Sequence, residues 1–126
     1  MTKILIVEDE PDVAELVRRV LGAHGYEVFH APTAEQGLDL ARAERPDLII
    51  LDLGLPDYDG QTLAGWLRDE PGLERTPIVA FTAWPQETVR DMIESYGCAG
   101  YISKPIVSIQ RFAEQIESFL LSTEHR

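Results

Sequence analysis

The sequence predicts an α/β domain built on a doubly wound, five-stranded parallel sheet with helices on both faces. Three observations carry that reading. Short apolar runs alternate along the chain with segments of helical period, giving five β/α units. The strongest runs, at 4–7, 48–51 and 78–81, are apolar without interruption, as parallel strands covered on both faces must be. The 126 residues also contain no internal repeat, low-complexity tract or linker, so residues 1–126 read as a single domain large enough to bury a core.

Each element has its own signature. After the first strand, Pro11 suits the first turn of a helix, and Val13, Leu16, Val17, Val20 and Leu21 form one helical stripe. Glu27, Val28 and Phe29 make a weaker, amphipathic run that reads as an edge strand. A helix over about 34–43 follows, with Thr33 and Gln36 as a capping box. The strand at 48–51 precedes a helix at about 60–69. After the strand at 78–81, Val89, Met92, Ile93 and Tyr96 share a helical face. Gly100, Tyr101 and Ile102 give the fifth strand, and Ile109, Phe112, Ala113, Ile116 and Leu120 the last helix. Right-handed crossovers would carry each helix back over the sheet.

Composition narrows the function. Hydrophobic residues at 44% and charged residues at 26% describe an ordinary soluble globular protein. No apolar run reaches the roughly 18 residues that span a bilayer, and the N-terminal run is too short for a signal peptide, so the cytoplasm is the expected location. The net charge of −11 argues against direct binding to nucleic acid, which needs a basic patch. Cys98, the single cysteine, reads as a buried structural thiol with no basic neighbour evident in sequence.

In an open parallel sheet, ligands sit beyond the carboxyl ends of the strands. Four of those ends carry pointed chemistry: Glu8 and Asp9 after the first strand, Asp52 at the third, Thr82 at the fourth, and Lys104 with Pro105 after the fifth. Taken singly, each has a plain explanation as a helix-terminal acid, a loop cap, a helix cap or a surface lysine. Together they read differently. Three adjoining carboxylates repel, and one takes up a proton unless a cation compensates. Oxygen ligands of this kind suit Mg²⁺. A carboxylate is also a nucleophile toward a phosphoryl group, a reaction that asks mainly for positioning and charge neutralisation.

These residues resemble the response-regulator receiver family of two-component signalling. The similarity runs from Lys3 to about Leu121 and rests on ordered motifs: Ile4-Leu5-Ile6-Val7-Glu8-Asp9-Glu10, Pro46-Asp47 through Leu51-Asp52-Leu53, Leu55-Pro56 with Asp59-Gly60, Pro77 through Phe81-Thr82-Ala83, and Gly100-Tyr101-Ile102-Ser103-Lys104-Pro105. The resemblance implies a flavodoxin-like strand order of 2-1-3-4-5. It implies that Asp52 accepts the phosphoryl group and ligates Mg²⁺. Asp9 would be a direct ligand, Glu8 a ligand through water, and Gly54 a ligand through its carbonyl. Lys104 would pair with the acceptor and then with phosphoryl oxygens, across a cis bond to Pro105, while the Ala83 N–H meets the phosphoryl group. Thr82 would be the switch hydroxyl and Tyr101 the aromatic that follows it. The implied partners are a sensor histidine kinase or histidine phosphotransfer protein upstream and a protein target downstream.

The chain departs from the family in two places. Glu8 stands where aspartate is more frequent. The segment Cys98-Ala99-Gly100-Tyr101 lacks the paired acids before the tyrosine that many DNA-binding regulators use in a dimer face on the last two helices and fifth strand, so a homodimer through that face is left open. Gly97 through Ile106 instead resembles single-domain regulators of cell division and polarity and receivers of hybrid kinases. Trp84, two residues beyond Thr82, has two readings: a partner-binding aromatic that points away, or a water shield over the acyl phosphate. Two other function classes compare poorly. A phosphatase of the haloacid dehalogenase type needs an aspartate where Gly54 stands, and a pseudo-receiver that binds without phosphorylation usually lacks one of the acids, the threonine or the lysine retained here.

Overall fold

The computed structural model describes residues 1–124; His125 and Arg126, the end of the tail included in the single-domain reading, lie outside the described residues. Ten elements alternate: β1 (Lys3–Val7), α1 (Pro11–Ala23), β2 (Glu27–Ala31), α2 (Ala34–Glu44), β3 (Leu48–Asp52), α3 (Gly60–Asp69), β4 (Ile78–Thr82), α4 (Gln86–Ser95), β5 (Gly100–Ser103) and α5 (Ile109–Glu124). The strands form one parallel sheet in the order β2-β1-β3-β4-β5. β2, with its amphipathic run, is an edge, as its sequence predicts.

Strand side chains alternate between faces, and each face buries its own core. Leu5, Val7, Ile49, Leu51, Ile78 and Ala80 meet α2, α3 and α4 on one side. Ile4, Ile6, Leu48, Ile50, Val79 and Phe81 meet α1 and α5 on the other. All residues of β3 and β4 are buried, which is why these strands read as unbroken apolar runs. Burying one aliphatic or aromatic side chain contributes about 1.5–3 kcal/mol before chain entropy is charged against it. The two cores therefore hold the strand ends rigidly in line.

Local chemistry fixes the element ends. Pro11 opens α1. Thr33 Oγ1 accepts the Gln36 N–H at 3.2 Å, and the Gln36 side chain returns to that hydroxyl rather than to the backbone. Asp57 completes this cap from a distant loop, accepting the N–H groups of Ala34 (2.9 Å) and Glu35 (3.1 Å). Asp59 caps α3 through Thr62. Gly60 packs against the end of β3, where an added Cβ would lie 2.8 Å from Leu53 Cα and 2.9 Å from the Asp52 carbonyl oxygen. No helix among the described residues is long and apolar enough to cross a membrane.

Candidate functional site

Register brings the chemistry together. Val7 pairs with Leu51 and Asp52 with Phe81, so Glu8, Asp52 and Thr82 emerge side by side from β1, β3 and β4. Thr82 pairs with Ser103, which delivers Lys104 to the same end. Glu8, Asp52 and Thr82 are buried, whereas Asp9 is exposed. Carboxylate oxygens of Glu8, Asp9 and Asp52 all lie within 4.8 Å of one another.

Lys104 is the counter-charge in this cluster. Its Nζ lies 2.5 Å from Glu8 Oε1 and 3.5 Å from Asp52 Oδ2, and 5.0 Å from the centre of the Phe81 ring. One ammonium facing three carboxylates leaves an excess of negative charge. Burial pushes the Glu8 carboxyl up to about 7; the Lys104 hydrogen bond opposes the rise, and Asp52 adds to it. Burial also pulls the Lys104 ammonium down, but Glu8 and Asp52 outweigh it and raise its pKa. A cluster of three carboxylates with one ammonium fits a divalent cation, and an all-oxygen donor set fits Mg²⁺.

The surrounding residues frame Asp52. Its Oδ1 accepts the Gly54 N–H at 3.1 Å, and Gly54 presents open space where a side chain would stand beside the carboxylate. Thr82 Oγ1 accepts the Trp84 N–H at 3.1 Å, and Tyr101 donates its hydroxyl to the Trp84 carbonyl at 2.7 Å. The backbone of Trp84 therefore links Thr82 to Tyr101. The Trp84 indole is 44% exposed, and Ala83 beside it is exposed as well. The Lys104–Pro105 bond is cis.

Two residues escaped the sequence reading. His30, at the end of β2, donates Nε2–H to the Glu8 carbonyl at 2.7 Å and so fixes the backbone that carries the acids. Arg68, in α3, reaches the carbonyls of Tyr96 (2.7 Å), Thr76 (2.7 Å), Gly97 (3.1 Å) and Leu73 (3.2 Å), tying the loops on both sides of β4 and α4. Neither has a local sequence signal, because both act on backbone carbonyls far along the chain. Arg68 also corrects the expectation for Cys98. The thiol is half-buried and burial raises its pKa, but a basic neighbour does act on it: the Arg68 guanidinium opposes that rise.

Comparison with known proteins agrees with this geometry. Residues 4–117 match the family model described as the response regulator receiver domain. The polar-differentiation response regulator DivK of Brucella anthropi is 41% identical over 117 residues, covering 93% of this chain and 94% of that protein. A CheY-like receiver domain protein of Methanospirillum hungatei superposes with a TM-score of 0.90 at 27% identity, covering 99% of this chain and 98% of that one. The response regulator TrrA of Thermotoga maritima, solved in complex with Mg²⁺-BeF, superposes with a TM-score of 0.81 at 28% identity, covering 94% and 99%.

Proposed function

The chain belongs to the response regulator receiver domain family, and from that premise we propose that it is a single receiver domain switched by Mg²⁺-dependent phosphorylation of Asp52. The observation that carries the proposal is the gathering of Glu8, Asp9, Asp52 and Lys104 at one end of the sheet.

In this reading an Asp52 carboxylate oxygen attacks phosphorus. A new O–P bond forms as the bond from phosphorus to the donor's histidine nitrogen or acyl oxygen breaks, and the donor leaves with the electron pair. Glu8, Asp9, Asp52 and the Gly54 carbonyl would hold Mg²⁺, which supplies neutralising charge for the phosphoryl oxygens. The Mg²⁺-BeF complex of TrrA, a similar receiver, supports that assignment. Gly54 itself adds no side chain beside the Asp52 carboxylate. Lys104 Nζ, now shared between Glu8 and Asp52, turns to the new dianion. The Thr82 hydroxyl and the Ala83 N–H are the other donors within the β4 end. As Thr82 moves, its bond to Trp84 breaks, and the Tyr101 hydroxyl held by that same residue is released to rearrange.

Such a protein is a switch rather than a turnover enzyme. Its phosphoryl source would be a sensor histidine kinase or a histidine phosphotransfer protein, its output a protein target, and its place of action the cytoplasm. The test pairs two readouts on Asp9→Ala, since Asp9 is exposed and free to coordinate. The variant should bind Mg²⁺ more weakly and take up no phosphoryl group from acetyl phosphate. Undiminished labelling in Asp9→Ala would overturn the assignment.

A further inference from the structure

Away from the strand ends, α2 and α3 leave a groove between them that the phosphoacceptor chemistry does not use. It is an open groove of about 610 Å³. Its base is apolar: Leu38 packs on the core from α2, and Trp66 from α3. Tyr58, 41% exposed, stands edge-on to Trp66 with ring centroids 4.8 Å apart and an interplanar angle of 70°. The T-shaped contact fixes the two rings at an angle to each other.

The walls are acidic. Glu35 and Asp39 line the α2 side, one helical turn apart, and Asp69 lines the α3 side. The single arginine of the groove, Arg42, is spent on Glu70, with Nε 3.0 Å from Oε2. Glu35, Asp39 and Asp69 have no ion pair among the described residues. Aromatic rings within a ring of carboxylates recognise one kind of group, an organic cation that can place its charge over a ring while its stem covers apolar surface.

We propose that the α2–α3 groove is a second docking surface, which receives an arginine- or lysine-bearing segment of a partner protein. The charge of the chain, −11, favours a basic partner, and the groove adds what bulk charge lacks: rings and an apolar base. The surface is also wired to the phosphoacceptor loop. Tyr58 lies between Asp57, which holds the start of α2, and Asp59, which caps α3, on the loop that begins at Asp52.

The test uses capped hexa-arginine as the probe, titrated into the whole protein with saturating Mg²⁺ to keep the peptide off the acidic site. The readout is amide and indole N–H chemical shifts. Saturable shifts should fall on 35–42, 58 and 66–70. Tyr58→Ala should weaken binding about fivefold, in line with the loss of a cation–π contact. Asp39→Lys, an exposed replacement that leaves the core intact, should weaken it further, and capped hexa-glutamate should not bind. Shifts scattered over the surface and unaffected by Tyr58→Ala would mean attraction to net charge alone and would overturn the proposal. Binding elsewhere, or none, would overturn it equally.

Discussion

At the scale of single residues, the buried Glu8 carboxyl has the sharpest consequence. Its folded pKa of about 7 lies above the ordinary 4.5, so the folded state holds this proton more tightly than the unfolded chain does. The associated stability is fully present below the unfolded value and is lost as pH rises through about 7. At about 1.4 kcal/mol per unit, the loss amounts to roughly a few kcal/mol. Without Mg²⁺, urea unfolding at about pH 5 and about pH 8 should therefore show a larger drop for wild type than for Glu8→Gln. Equal pH dependence in the two proteins would contradict the assignment. Trp84 offers a second residue-level prediction. If its half-exposed indole screens Asp52, phosphorylated Trp84→Glu should lose its phosphoryl group several-fold faster than wild type with no phosphatase present. Equal or slower loss would leave the residue only its backbone role between Thr82 and Tyr101.

At the scale of elements, what the sequence made legible follows from physics that acts locally. Unbroken apolar runs report strands buried on both faces, so β3 and β4 were readable, and acids placed just after such runs pointed to the sheet's carboxyl end. The edge strand β2 was readable because its residues from Glu27 to His30 are only partly buried or exposed. The contacts of His30, Asp57 and Arg68 were not readable, because their partners are backbone groups brought near only by the finished fold. The same limit hid the α2–α3 groove, whose aromatic pair comes from a loop and a helix. The Thr82–Trp84–Tyr101 chain of hydrogen bonds also needed coordinates, and it yields the element-level prediction. Adding beryllofluoride with Mg²⁺ should change amide exchange across 83–106, from the start of the α4 loop through β5. Changes confined to the acidic pocket would break the proposed link between phosphorylation and the α4–β5 face.

At the scale of the whole molecule, two apolar cores clamp a parallel sheet whose strand ends must converge, and that convergence lets four side chains act as one site. Charge sets the direction of the switch. In the proposed reaction, a site already over-supplied with carboxylates, with one shared lysine, would gain a dianion and redistribute Lys104 and Thr82 to accommodate it. The α2–α3 groove lies across the domain from β5, so one partner can be held there while the α4–β5 face changes. All of this depends on Asp52 being the acceptor. Intact-mass measurement after exposure to acetyl phosphate and Mg²⁺ tests that directly: wild type should gain the mass of one phosphoryl group, labile in base, and Asp52→Asn should gain none. A base-stable label, or the same gain in Asp52→Asn, would contradict the account.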